Sequence, residues 1–296
     1  MKKMLKFFNL VGQEHQFVLV LRDYVGGDTA VDRAIVECFN KGEFYEPDVS
    51  ALIKRVVSPG DVFIDVGANI GYHSILAGCM LSGTGMVVSC EPCDSNLIRL
   101  RDNIEANNFD NFIIIDRVIA NFIGSSSFYL NDGSNGSHAV WDPGVLPTIT
   151  GHIGASRKII VNTTTLEDIY NNIIVQQQYK KIVIKIDVEG AEQLVLEGGS
   201  VLLSPDKVPF IVCELHSPGL HQLGHSQTSL RGLMYSKGYE TFLLDGLDHG
   251  KHSDRVPKYI PKSINISSNF FPNILFSTID YVGSYWTEEK FLHYQS

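Results

Sequence analysis

Basic residues are the scarce component of this sequence. Lys and Arg number 24 against 33 Asp and Glu, for a formal net charge of −9, and they never form a long run. A partner gripped mainly through phosphates, such as DNA or structured RNA, is not expected, because that grip needs clustered cations. Long apolar stretches are missing too, since no window approaches the roughly 18 uninterrupted apolar residues of a membrane span. The opening Met1-Lys-Lys-Met-Leu-Lys-Phe-Phe sets positive charge before apolar residues as a leader peptide does. Gln13 to Gln16 interrupts that run and no A-x-A site follows, so a cytoplasmic protein is expected. Cysteines are few and odd in number, at five. Cys90-Glu-Pro-Cys93 has the C-x-x-C spacing of a redox or zinc pair, but the chain holds no second pair, and free thiols are the expected state. Internal repeats and low-complexity tracts are absent. So are G-x-x-x-x-G-K-[ST] and G-x-S-x-G, which removes a P-loop and a hydrolase nucleophile elbow from consideration.

What remains is a 296-residue chain with 44% hydrophobic residues, enough to bury a sizeable core. Residues 1–57 read as an extension, with a strand-like stretch at 17–21 and helical patterns near 30–40 and 47–57. After the turn at 58–60 the chain alternates between periods of two and 3.6. Short buried strands are predicted at 62–65, 86–90, 112–116, 181–186, 209–214, 240–244 and 274–279. Helices fall between most of them, including one over 166–177, and an extra strand pair at 127–130 and 158–162 flanks a polar loop. Such alternation specifies an α/β fold with a parallel sheet and right-handed crossovers. No helix separates the last two strands, so the final strand should run antiparallel. Residues 58–296 would form this domain, with 131–157 and 217–270 as its substrate loops.

The stretch Asp65-Val-Gly-Ala-Asn-Ile-Gly71 follows the first strand of the sheet and opens a helix. In an open α/β sheet, ligands bind at this end of the strands. Backbone N–H groups at a helix start suit an anionic or carboxylate-bearing ligand, and Gly67 and Gly71 would let it come close. A dinucleotide fingerprint would need a glycine where Asn69 stands and a minimal side chain where Tyr72 stands. Glu91 ends the next strand, 20 residues beyond Gly71, where a carboxylate accepts hydrogen bonds from both ribose hydroxyls of a nucleoside.

Asp65-Val-Gly-Ala-Asn-Ile-Gly71, Glu91-Pro92, Thr163 to Asp168 and Lys185-Ile-Asp-Val-Glu-Gly-Ala-Glu192 together resemble the FkbM family of S-adenosylmethionine-dependent methyltransferases. The resemblance spans about residues 44–216. It implies a class I methyltransferase fold: a Rossmann-like, seven-stranded sheet with an antiparallel last strand. It further implies that Asp65 and Gly67, Ala68, Asn69 and Gly71 hold the methionine part of S-adenosylmethionine, that Glu91 holds the ribose, and that Asp116 meets the adenine.

Methyl transfer from a sulfonium depends mainly on alignment, and an alcohol acceptor must also lose a proton. Lys185, Asp187 and Glu189 end one strand, and Glu214 and His216 end the next. Lys185 and Asp187 share strand parity, so an ion pair suits Lys185 as well as a catalytic role does. His216 is the candidate base. A metal is not expected; a divalent ion, if bound, would fall near Asp187, Glu214 and His216. His138 and Trp141, on the long loop, are candidate substrate contacts, as is Glu189. His73 reads as a packed or capping side chain. The chain is thus expected to O-methylate a hydroxyl of a sugar, glycan or small natural product. N-methylation, a catalytically silent cofactor-binding scaffold and, third, an NAD-linked dehydrogenase are the alternatives. Calorimetry should record binding of S-adenosylmethionine or its demethylated product and none of NAD; binding of NAD alone would overturn the cofactor assignment.

Overall fold

The computed structural model describes residues 2–10, 13–21, 30–131, 136–146, 156–244, 256–266 and 271–286. Residues 132–135 and 147–155 of the first expected substrate loop lie outside the described residues, as do 245–255 and 267–270 of the second and 22–29 of the extension. No described helix is long and apolar enough to cross a membrane.

The chain begins with a hairpin, β1 (Lys2–Leu10) and β2 (Gln13–Leu21), followed by α1 (Ala30–Asn40) and α2 (Pro47–Val56). The α/β body follows as β3 (Val62–Val66), α3 (Tyr72–Leu81), β4 (Met86–Cys90), α4 (Asp94–Ala106) and β5 (Phe112–Ile115). Three strands, β6 (Val118–Ile119), β7 (Gly124–Leu130) and β8 (Arg157–Thr164), form a small separate sheet, with β7 and β8 antiparallel as the sequence predicts. Next comes α5 (Leu166–Ile169), whose N-terminal Thr165 side chain accepts the Asp168 amide. The helix predicted as far as 177 instead widens into a π-helical turn at Tyr170–Ile174. The remaining elements are β9 (Ile182–Ile186), α6 (Glu192–Glu197), β10 (Phe210–Glu214), α7 (Ser217–Gln222), α8 (Gln227–Ser236), β11 (Glu240–Leu243), β12 (Lys258–Tyr259), β13 (Asn273–Ser277) and α9 (Ile279–Tyr285).

The main sheet runs β12-β11-β13-β10-β9-β3-β4-β5. Strand β13 inserts between β10 and β11 and pairs antiparallel to both, while β3, β4, β5, β9 and β10 pair in parallel. This is the expected class I arrangement of seven strands, with the two-residue β12 added at one edge. The central strands are apolar throughout because helices cover both faces. Phe63, Val87, Val183 and Val212 point into one core; Ile64, Val88, Ile184 and Cys213 point into the other. The register sets Asp65 opposite Lys185 and Val66 opposite Cys90, so the ends of β3, β4 and β9 lie level and face one cavity.

The hairpin and α1–α2 pack against the first core through Phe17, Leu19, Leu21, Ile35 and Leu52. Strand β2 is additionally tied to α4. The Asn107 side chain both accepts the Val18 amide (2.7 Å) and donates to its carbonyl (2.8 Å), and Asn103 accepts the Val20 amide (2.6 Å). Asn103 also donates to the carbonyl of Ile70 (2.7 Å), inside the glycine turn. One fully buried amide therefore links the N-terminal hairpin to the turn that walls the cavity. Asn103→Ala leaves a buried N–H and a buried C=O unpaired, and urea unfolding should show a loss of about 2–4 kcal/mol. A loss below about 0.5 kcal/mol would mean that the hairpin is not held through this residue.

Candidate functional site

The ends of β3, β4, β9 and β10 open onto a cavity of about 380 Å³, lined also by residues from α1, the turn before α2 and the segment after β7. Gly67, Ala68, Asn69 and Ile70 form its floor. The glycines of this turn are required by the chain before any ligand is considered. Gly67 has a φ of +82°, and a Cβ there would sit 1.8 Å from the Asp187 carbonyl oxygen. Gly71, at +89°, would press a Cβ to 2.4 Å from Leu100 Cδ1, and it does not line the cavity. Their absence of side chain lets β3 close on β9 and α4.

Glu91 stands where the sequence places it, at the rim of this floor. Its carboxylate accepts the amides of Asn69 and Cys93, both at 2.9 Å, and it is 5% exposed. Burial pushes its pKa up to about 7 against the opposing backbone hydrogen bonds. Oε1 also receives the Asn96 side-chain amide at 3.5 Å, so Oε2, bonded to the Asn69 amide, is the oxygen with a lone pair left for a ribose hydroxyl. His138 comes close enough to favour the charged form of Glu91, and its Nδ1 accepts the Asn131 amide at 3.0 Å. The cavity thus gains a wall from the loop after β7. Trp141 is buried, does not line the cavity, and donates from Nε1 to the Glu189 carbonyl at 2.6 Å, which anchors that loop to the end of β9.

Asp65 does not reach the cavity. It is fully buried, accepts the Ser74 hydroxyl at 2.6 Å and lies 3.7 Å from Lys185 Nζ. Its methionine-binding role, implied by the family resemblance, has no direct route in this geometry. Asp116 is exposed, and its neighbour Arg117 lines the cavity instead. His216 is fully buried beneath the site: Nδ1 accepts the Gly219 amide at 3.0 Å as a helix cap, and the ring stacks on Phe271. Burial lowers its pKa to about 4. With Nδ1 accepting, its Nε2 carries the proton and lies 3.1 Å from Glu189 without a hydrogen bond to it, so neither ring nitrogen has a lone pair left for a proton from an acceptor.

Lys185, Asp187, Glu189 and Glu214 do converge on the cavity. Lys185 Nζ lies 3.0 Å from Asp187. Burial draws the Lys185 pKa down, but the carboxylates of Asp187, Asp65 and Glu46 outweigh it and keep the ammonium protonated. Burial pushes Glu189 and Glu214 well above the usual carboxylate range, and the charge of Asp187 adds to it. Oxygens of Asp187, Glu189 and Glu214 lie within 4.8 Å of one another, close enough to share a divalent ion. His221 is exposed, and neither it nor His225 lines the cavity.

Among the cavity residues that escaped the sequence reading are Tyr45, Glu46, Asn96 and Arg117. Glu46 precedes Pro47 at the start of α2, with a left-handed φ of 44° and no capping bond from its side chain. Its carboxylate lies 3.6 Å from Nε2 of His73, which lines the cavity as well. The only local signal is a Glu-Pro pair at a helix start; the contact itself spans 27 residues.

Residues 65–241 match the methyltransferase FkbM domain family. The hexuronic acid methyltransferase AglP of Haloferax volcanii is 28% identical over 175 residues, 58% of this chain and 63% of AglP. The chain therefore spans less than two thirds of that relative. Among solved structures, methyltransferase FkbM from Methylobacillus flagellatus aligns with a TM-score of 0.42 and 15% identity over 74% of this chain and 44% of that one. Fibrillarin from Aeropyrum pernix, solved with S-adenosyl-L-methionine bound, aligns with a TM-score of 0.40 and 9% identity over 90% of each chain.

A carboxyl with a pKa of about 7 is half protonated at neutral pH, and only its charged form accepts hydroxyl donors well. S-adenosylmethionine affinity should thus rise from pH 6 to 8 in calorimetric titrations. Glu91→Gln should weaken binding about 10- to 100-fold, the worth of charge-assisted hydrogen bonds, and flatten the pH dependence. The unliganded protein should respond in the opposite sense. A carboxyl raised from 4.5 to about 7 by folding contributes stability that is lost as pH rises through that window.

Proposed function

The chain belongs to the FkbM family of methyltransferases, and on that premise we propose that it uses S-adenosylmethionine to methylate a hydroxyl of a sugar, glycan or small natural product. The observation that carries this reading is one cavity in which the Glu91-bracketed turn and the carboxyl cluster of β9 and β10 face each other. The donor set fits the cofactor: Glu91 for a ribose hydroxyl, and the floor formed by Gly67, Ala68, Asn69 and Ile70 for the part beyond. S-adenosylmethionine supplies an electrophilic methyl group whose departure leaves a neutral thioether.

The chain's own residues then have separate tasks. Asp187 is the candidate base: Lys185 Nζ, 3.0 Å away, holds its carboxylate in place at the strand end, where it can accept the hydroxyl proton. Glu214 and Glu189, carried above the usual carboxylate range by burial and by the charge of Asp187, hydrogen-bond to neighbouring hydroxyls of the acceptor. The anchored segment at His138 and Trp141 excludes water from that side. AglP is named for a hexuronic acid, which supports a sugar acceptor. The acidic wall here suits an uncharged sugar better than a uronate. The same wall attracts amines, so N-methylation is the second reading.

The experiment is transfer of labelled methyl from S-adenosylmethionine into fractionated sugars, glycans and metabolites. Label is expected as a methyl ether in neutral carbohydrate fractions. Label on nitrogen would install the second reading, and no incorporation into any fraction would overturn both. Asp187→Asn should lower kcat about 10²- to 10⁴-fold, the range for loss of a general base.

A further inference from the structure

Glu91 fixes the ribose end of the cavity at β4, and β3 separates β4 from β9. Arg117, Val118 and Ile119, beyond β5, line the side next to β4, which is where a base on that ribose would lie. A chain attached to the ribose 5′ carbon must therefore cross the floor of β3 toward β9. In S-adenosylmethionine that chain ends in an amino acid, and its ammonium needs an acidic partner there. Asp65 is closed off by burial, its Ser74 hydrogen bond and the nearby Lys185. Asp187 is engaged by Lys185, and Glu189 faces His216. Among the described carboxylates left, Glu214 ends β10, one strand farther from β3, and Glu46 is the other that meets no Lys or Arg at hydrogen-bonding distance. It enters from the turn before α2, opposite the first turn of α3, with its side chain directed to His73 and Tyr45 and not to its own helix end.

We infer that Glu46 binds the ammonium group of the cofactor's amino-acid end, so that a residue upstream of the matched 65–241 region completes the cofactor site. This rests on the S-adenosylmethionine reading above. The surrounding charges favour it. Asp187 and Asp48 repel the Glu46 carboxylate, Lys185 and the Tyr45 hydrogen bond stabilise it, and Glu189 and Glu214 lie close enough to feel its charge. Burial together with Asp187 raises its pKa to about 7, which a bound cation would relieve. The left-handed backbone of a non-glycine residue at Glu46 is the kind of strain that a positioned functional group tolerates. The neighbouring imidazole of His73, kept neutral by burial, adds no competing cation beside the carboxylate.

The test compares S-adenosylhomocysteine, which retains the ammonium, with 5′-methylthioadenosine, which lacks the whole amino-acid part. By calorimetry, Glu46→Gln should weaken S-adenosylhomocysteine about 10- to 100-fold, as expected for a lost charge-assisted contact. It should leave methylthioadenosine affinity unchanged, which also shows that the variant is folded. Glu91→Gln should weaken both ligands. Should Glu46→Gln fail to fold, Glu46→Asp, which keeps the charge and shortens its reach, should give a smaller but selective loss for S-adenosylhomocysteine. Equal affinity of wild type and the Glu46 variants for S-adenosylhomocysteine overturns this role alone. Wild type that binds neither ligand overturns the cofactor reading itself.

Discussion

One buried ammonium holds the charge balance of this cavity. Lys185 sits in the middle of the sheet, opposite Asp65 in register, and reaches up to Asp187 at the strand end. Without it, Asp65 would be a lone anion in the core and Asp187 one more negative charge beside Glu46, Glu189 and Glu214. Desolvating an unpaired charge is far costlier than desolvating a pair, so the sheet and the site share this one cation. Burial and the charge of Asp187 push Glu189 and Glu214 toward the protonated form, which eases the crowding of acidic groups around it. The close approach of Gly67 to the Asp187 backbone brings β3 and β9 to the distance at which that arrangement works.

Much of the fold was legible because its signals are local. Buried strands read as apolar runs, the turn as Gly67 to Gly71, and the antiparallel β13 as a strand with no helix before it. The first strand of the hairpin was not legible, since Lys2 to Leu10 mixes basic and apolar residues as a leader does, and only its pairing with β2 distinguishes the two. That Glu91, Lys185, Asp187 and Glu214 would lie together at one cavity was legible because strand ends fall at predictable places. Asp65 was given to the cavity because alternation says that its side chain leaves the strand on one face but not which groups wait there. His216 carried a readable clue: a histidine followed by Ser-Pro-Gly is placed to cap a helix, and capping occupied the nitrogen that a base would need. Glu46 left almost no trace, as its partners come from elements far along the chain.

The N-terminal segment is consequently more than a cover. It contributes Tyr45 and Glu46 to the wall, a share of the first core through Phe17 and Leu21, and a link through Asn103 to the floor of the site. Its own packing and the shape of the cavity are thus coupled: whatever loosens the hairpin also loosens the turn at Ile70.

Tyr72 is the side chain whose bulk spoils a dinucleotide fingerprint. In the structure its hydroxyl accepts the Tyr45 amide at 3.0 Å and lies 3.3 Å from the Ser50 hydroxyl, while its ring packs edge-on against Phe17 and Tyr45. A dinucleotide-binding fold keeps that helix position small so that helix and strand can pack closely. Here the same position is a mooring post for the preceding fifty residues. A single choice between small and large thus separates two designs built on a similar strand–turn–helix unit: one draws its helix tight against the sheet, the other ties down a separate piece of chain and recruits it as a wall.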